Sequence, residues 1–174
     1  MLGSNNYTKI QVVTKTIGIT KQHRMEIEKE IQQNKPFRSP HHKAGVNILF
    51  TNNWLCTQIK AMLKPFDITL QQYNMLRILR GAGKPMSTSC IRERMIDRMS
   101  DTSRLVDRLC QKGWVNRDAC CFDKRRVDVT VSQKGLDLIL EIEGADTSLE
   151  KLLTNLTDEE ALLLSSLLDK VRQE

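Results

Sequence analysis

Residues 99 to 135 read "MSDTSRLVDRLCQKGWVNRDACCFDKRRVDVTVSQKG", and two different periodicities follow one another in that stretch. In the first part, Thr102, Leu105, Val106 and Leu109 recur every three or four positions and make one face of a helix. Ser100, Asp101, Ser103, Arg104, Asp107 and Arg108 are left on the outside, and Gly113 supplies a C-terminal stop. From Val127 to Val131 the period falls to two. Val127, Val129 and Val131 share one side and Asp128 and Thr130 the other, as a half-buried strand requires. Its expected partner is "WVNRD", Trp114 to Asp118, which leaves Ala119 to Arg126 as a hairpin loop. The tip of that loop carries Asp123, Lys124, Arg125 and Arg126. Charge runs are usually solvated, but three cations crowded on a projecting tip repel one another, and the arrangement suits a polyanion that comes to meet it.

Upstream, "STSCIRERM" gives a short helix capped by Ser87 or Thr88, with Ile91 and Met95 inward, and "IDR" turns the chain into the longer helix. Two helices joined by a tight turn and followed by a hairpin form a helix-turn-helix with a wing. Ahead of them, Thr69-Leu70-Gln71-Gln72 is a capping box with Ile68 and Tyr73 as its hydrophobic staple, opening a helix to Arg80 that "GAGKP" ends. "VNILFTNNWLCTQIKAMLK" has apolar residues at 46, 49, 50, 54, 55, 59, 62 and 63, too many for one stripe, so it is expected to be buried on more than one side before Pro65 stops it. "MEIEKEIQQNKPF" reads as a short helix ended before Pro36, and "RSPHHKAG" as a loop. His41 and His42 on that loop lack a partner ligand at helical spacing and are read as solvated, so no metal site is assigned. Downstream, Ser132 caps a helix through "QKGLDLILEIEGADTSLEKLL", and Thr157-Asp158-Glu159-Glu160 is a second capping box. The last helix repeats leucine at 162, 163, 164, 167 and 168 and needs a partner. The economical one is the same region of a second subunit together with the helix around Trp54. Residues 1–24 hold no acidic residue and no helical period, and read as an extension, either disordered or a cloning remnant.

The net charge of +6 is unevenly spread. Arg77 to Arg126 holds 13 Lys and Arg against 6 Asp and Glu, whereas Leu136 to Glu174 holds 3 against 10. The basic half faces a polyanion and the acidic half does something else. No apolar run approaches the roughly 18 residues of a membrane span, and the N-terminus lacks a secretory core. The five cysteines are odd in number and show no C-x-x-C spacing, which points to a reducing cytoplasm rather than a disulfide framework. A Gly-rich phosphate loop, a metal-spaced cluster and a nucleophile-base pair are all missing from the sequence, so neither an enzyme nor a cofactor is expected.

The ordered set "ITLQQYNMLRIL", "SRLVDRLCQKGWVNR", "DKRRVDVTVSQKG" and "LTDEEALLLSSLL" resembles the bacterial MarR family of winged-helix regulators, over roughly Val46 to Arg172. Each piece alone is weak; Asp-x-Arg-Arg, a β-run and a Gly three residues after a Ser or Thr are specific together. The resemblance implies a mainly α fold with a small β-hairpin wing: a winged helix-turn-helix core, about 67–132, plus N- and C-terminal dimerisation helices, about 42–66 and 133–174. It implies a homodimeric regulator, read as a repressor, that binds double-stranded DNA at a pseudo-palindromic operator. The recognition helix would enter the major groove and the wing the minor groove. Asp123 would hold the wing in shape, Arg125 would be the minor-groove arginine, and Lys124 and Arg126 would lie near phosphates. "ACCF" stands where the family more often has a polar, Pro-containing sequence.

Side-chain chemistry supplies the remaining candidates. Arg104 has the reach for guanine O6 and N7, with Arg108 on the same face, and Ser100 or Ser103 suits base edges or phosphate. Asp101 either accepts from cytosine N4 or, the favoured reading, interacts with the helix N-terminus or a nearby arginine. Arg92, Arg94 and Arg98 are phosphate contacts or plain surface. MarR-like proteins often take small aromatic acids between the DNA-binding lobe and the dimer helices, and Trp54, Met62, Phe66 and Tyr73 are candidates to line such a space. Cys120 and Cys121 sit among cations that favour the thiolate, so they are candidates for an oxidant sensor with Cys110 as a distant partner, against the plain reading of small residues at a strand end. A winged helix used only for protein interaction, without sequence-specific DNA binding, is the alternative function.

Overall fold

The computed structural model of the chain describes residues 26–119, 127–145 and 149–173. It divides into two compact units, 1–49 and 50–174. In the first, α1 is a single turn, Ile27–Glu30. It does not continue toward Pro36, because Gln32 adopts a left-handed φ of 51° and the Gln33 amide turns back to the Glu28 carbonyl at 2.8 Å. The stretch expected to be a loop instead starts α2, Pro40–Leu63. Ser39 accepts from the His42 amide at 3.1 Å through its hydroxyl and from the Lys43 amide at 3.1 Å through its carbonyl. Pro40 then takes the first helical position, where its missing N–H costs nothing. His42 rests edge-on against Phe37 at 5.3 Å.

The second unit is organised by caps. After a 3-10 turn at Lys64–Phe66, Thr69 and Gln72 close a reciprocal capping box that opens α3, Leu70–Ala82. Gly83, with φ of 60°, ends it by donating its amide to Leu79 and Arg80 carbonyls. Met86–Ser87 forms a two-residue strand, β1, and Ser87 caps α4, Thr88–Arg94. Asp101 caps α5, Thr102–Gln111. The strands β2, Val115–Ala119, and β3, Val127–Val131, pair antiparallel with Val115 opposite Val131 and Arg117 opposite Val129. The sheet has three strands in the order β1-β3-β2, with Met86 opposite Val129, so the hairpin is extended by a strand too short to carry a period of its own. Val129 is fully buried at its centre.

Ser132 caps α6, Gln133–Gly144, which is shorter than the run expected through Leu153; Leu149–Leu153 is a separate 3-10 turn. A capping box between Thr157 and Glu160 opens α7, Asp158–Val171. The core gathers Met75, Leu76 and Leu79 of α3, Ile91 of α4, Val106 and Leu109 of α5, Val129 of β3, and Ile139 and Ile142 of α6. By contrast α7 has no buried residue, and Leu162 and Leu167 are 72 % and 52 % exposed. In α2 only Leu63 is buried, and Trp54 is exposed, so the burial expected on several sides of this helix is not seen among the described residues. No described helix is long and apolar enough to cross a membrane.

The wing stem is joined to α5 and α6 at one point. A Schellman motif ends α5: the Gly113 amide donates to Cys110 and the Trp114 amide to Leu109, each at 2.9 Å, with Gly113 at φ of 72°. The Ser132 hydroxyl then donates to the Gly113 carbonyl at 2.7 Å and its amide to the Trp114 carbonyl at 3.0 Å. Gly135 lies so close that a Cβ there would stand 2.2 Å from the Trp114 carbonyl oxygen. Gly135→Ala is therefore expected to destabilise the fold by about 1–3 kcal/mol, the usual cost of overpacking against backbone, and a urea melt of the variant checks it.

Arg80 and Glu143 tie α3 to α6 by two hydrogen bonds of 2.8 and 2.6 Å. The bonds from Arg80 hold the Glu143 carboxyl below its ordinary range. A carboxylate whose pKa is depressed in the fold contributes stability above its unfolded pKa and loses it as pH falls through the folded value. Because the pair is about a third exposed, Glu143→Gln should cost only about 0.3–1 kcal/mol near neutral pH. The difference from wild type should vanish in melts taken well below the carboxylate range.

Candidate nucleic-acid interface

Alternation of burial along α5 builds this face. Thr102, Leu105, Val106 and Leu109 are buried, and Ser103, Arg104, Asp107 and Arg108 are exposed. The turn before it is shaped by Asp97. Its carboxylate accepts from the Met99 amide at 3.1 Å and from the Ser100 hydroxyl at 2.8 Å. The proton of Ser100 is thus committed to the turn, which leaves its oxygen as an acceptor. Asp101 accepts from the Arg104 amide at 3.1 Å and pairs with Arg104 Nε at 3.2 Å, so it engages both the helix N-terminus and an arginine. Ser100, Asp101, Arg104 and Arg108 border an open groove of about 360 Å³ whose other wall includes Thr69 and Gln71 at the start of α3. Arg92 and Arg94 on α4 and Arg98 on the turn are exposed and are not among the residues that line it.

Two further contacts fix α5 against its neighbours, and neither is among the sequence candidates. Arg117 on β2 pairs with Asp107 at 2.6 Å, linking the wing stem to the outward face. The Lys112 ammonium sits 4.5 Å over the Trp114 ring and donates to the Asp67 carbonyl and carboxylate at 2.5 and 2.6 Å. That holds the left-handed Asp67 just before the α3 cap. The signal for the first pair was a charge on each strand and helix; only the fold brings them together. Asp123, Lys124, Arg125 and Arg126, and with them Cys120 and Cys121, lie outside the described residues.

Of the four candidates for a ligand space, Met62 and Tyr73 line a cavity of about 510 Å³ together with Arg77 and Ile96, whereas Trp54 and Phe66 are not among its lining residues. The Arg77 guanidinium lies 5.9 Å from the Tyr73 ring centre, and burial pushes the Tyr73 phenol up. Among the described residues no group of three or more His, Cys, Asp or Glu is arranged to hold a metal.

The MarR family model matches residues 68–127, the segment from the α3 cap to the start of β3. The chain is 33 % identical over 112 residues to the multiple antibiotic resistance protein MarR of Salmonella typhimurium, an alignment covering 63 % of this chain and 76 % of that protein. It is 30 % identical over 112 residues to the transcriptional regulator PecS of Dickeya dadantii, covering 62 % and 67 %. A cysteine-to-serine mutant of Escherichia coli MarR, solved in complex with operator DNA, superposes with a TM-score of 0.67 at 30 % identity over 74 % of this chain and 93 % of that one.

Cys110 on α5 is half-buried, and desolvation pushes its thiol up against the opposing pull of Arg117. Since the thiolate is the reactive form, iodoacetamide at neutral pH should label the half-buried Cys110 more slowly than the exposed Cys90. Peptide mapping by mass spectrometry over time checks the order.

Proposed function

This chain belongs to the MarR family of DNA-binding transcriptional regulators, and from that premise we propose that it acts as a homodimeric repressor at a pseudo-palindromic operator. The observation that carries the reading is α5, one face of which is the core while the other offers Ser103, Arg104 and Arg108 to solvent. A helix presented in this way fits the major groove, where an arginine can take guanine O6 and N7 together. The wing follows on the same hairpin. Arg125 is assigned to the adjacent minor groove, whose negative potential is strongest where it is narrow. Lys124 and Arg126 are assigned to phosphates, and Asp123 to wing shape. The operator complex of a relative favours DNA over a purely protein-binding use of the wing.

The homodimer answers the apolar surface. Leu162, Leu163, Leu164 and Leu167 on α7 and Trp54 on α2 are exposed in one chain. A second copy would cover them and bring two recognition helices to successive turns of one DNA face. The acidic half of the chain then stays on the dimer side, away from phosphates. A small aromatic effector is assigned to the cavity beside Tyr73, whose volume lies in the usual ligand range of about 300–1,000 Å³. Arg77 would meet an effector carboxylate there.

The operator is to be recovered by genomic fragment selection and titrated by fluorescence anisotropy. Arg125→Ala is expected to weaken operator binding by about 1–3 kcal/mol with the fold intact. Lys124→Ala should weaken operator and random DNA alike and flatten the salt slope by about one unit. Equal affinity of wild type and Arg125→Ala would remove the wing from the interface.

A further inference from the structure

We propose that Asp101 is a positioning residue that sets the sequence discrimination of α5 by holding Arg104 at both its backbone and its guanidinium. The inference rests on the DNA-binding reading above and deepens it. One carboxylate oxygen of Asp101 accepts the Arg104 amide at 3.1 Å and the other meets Arg104 Nε at 3.2 Å. The two oxygens thereby tie both ends of the same arginine to the N-cap of its own helix. Nε is the inner donor of the guanidinium. The Nη nitrogens form the fork that reads guanine. The Arg104 side chain is 80 % exposed and borders the groove shared with Thr69, Gln71 and Arg108. An arginine restrained at Nε has fewer rotamers left to lose when its fork meets a base edge, and preorganisation of that kind rewards the matching base above others.

The carboxylate also acts against the wrong sequence. At the N-terminus of a helix lying in the major groove it is close to the phosphates and repels them. Where the fork finds its guanine, the arginine lies between the carboxylate and DNA and its charge is shared with both. Where the fork finds no partner, the repulsion remains without that gain. Asp101 therefore lowers binding to random DNA more than binding to the operator, and it contributes to the ratio of the two affinities rather than to affinity as such. Exposed pairs of this spacing are weak in water. Exclusion of water at the protein–DNA contact strengthens this one where the discrimination is made.

The test uses the full chain, its selected operator and a random duplex of equal length, titrated by anisotropy at one salt concentration. Asp101→Asn keeps an N-capping side chain and removes the charge; thermal melts of each variant confirm an intact fold. The expected result is a fall of about tenfold in the operator-to-random ratio for Asp101→Asn, the scale set by one restrained contact, with binding to random DNA unchanged or tighter. In an Arg104→Ala background the same substitution should leave the ratio where Arg104→Ala alone puts it. If Asp101→Asn shifts operator and random DNA by one common factor, or lowers the ratio equally with and without Arg104, Asp101 does not position the arginine and the inference fails. If Arg104→Ala itself leaves operator preference intact, the assignment of Arg104 to a base fails, and the inference falls with it.

Discussion

The Gly113–Trp114 joint is the point on which the winged-helix part of this chain depends. The last turn of α5, the first residue before β2, the end of β3 and the first turn of α6 all converge there. The approach is close enough that only a residue without a Cβ fits at position 135. Because the joint is made of backbone groups and one Ser hydroxyl, it fixes positions rather than merely burying area. The wing stem cannot rotate about α5 without breaking the Schellman bonds, and α6 cannot lift away without exposing the Ser132 amide. α5, the wing stem and the start of α6 are thus held to one another through this joint.

On that rigid base, polar residues near α5 divide into those that shape it and those that are offered outward. Asp97 and Ser100 bond to each other and to the turn, and Asp107 is taken by Arg117. Arg108 and Ser103 remain on the open face, with Arg104 held through Nε. With its acidic residues engaged, α5 keeps a positive outward face even though three aspartates lie in or near it. The same economy holds across the chain: the basic excess lies between Arg77 and Arg126, and the acidic excess follows from Leu136 onward.

Much of this was legible in the sequence because capping is local. Thr69 with Gln72, Ser132 with Gly135 and Thr157 with Glu160 are each within three residues, so the pattern and the hydrogen bond are nearly the same object. The inner face of α5 followed from spacing alone. Other features needed partners distant in sequence. β1 is two residues that become a strand only by pairing with Val129 and Asp128. Ser39-Pro40 is a local start signal, but the histidines and glycine after it hid a helix within a stretch that reads as a loop. Phe66 and Trp54 are apolar residues on or near the same helix as Met62, yet periodicity cannot say which of them borders a cavity. Arg117 with Asp107 and Lys112 with Asp67 join elements that only the fold brings together. The tip from Asp123 to Arg126 rests on motif and charge.

Footprinting on the selected operator tests the dimeric DNA reader most directly, by dimethyl sulfate for the major groove and hydroxyl radical for the backbone. Two rigid α5 elements related by a twofold axis should protect guanine N7 atoms in two half-sites. Their centres should lie about one turn apart, roughly 34–36 Å, with backbone protection at the minor groove flanking each. Protection of one half-site only, or protection spread evenly over the operator and over random DNA, would contradict it.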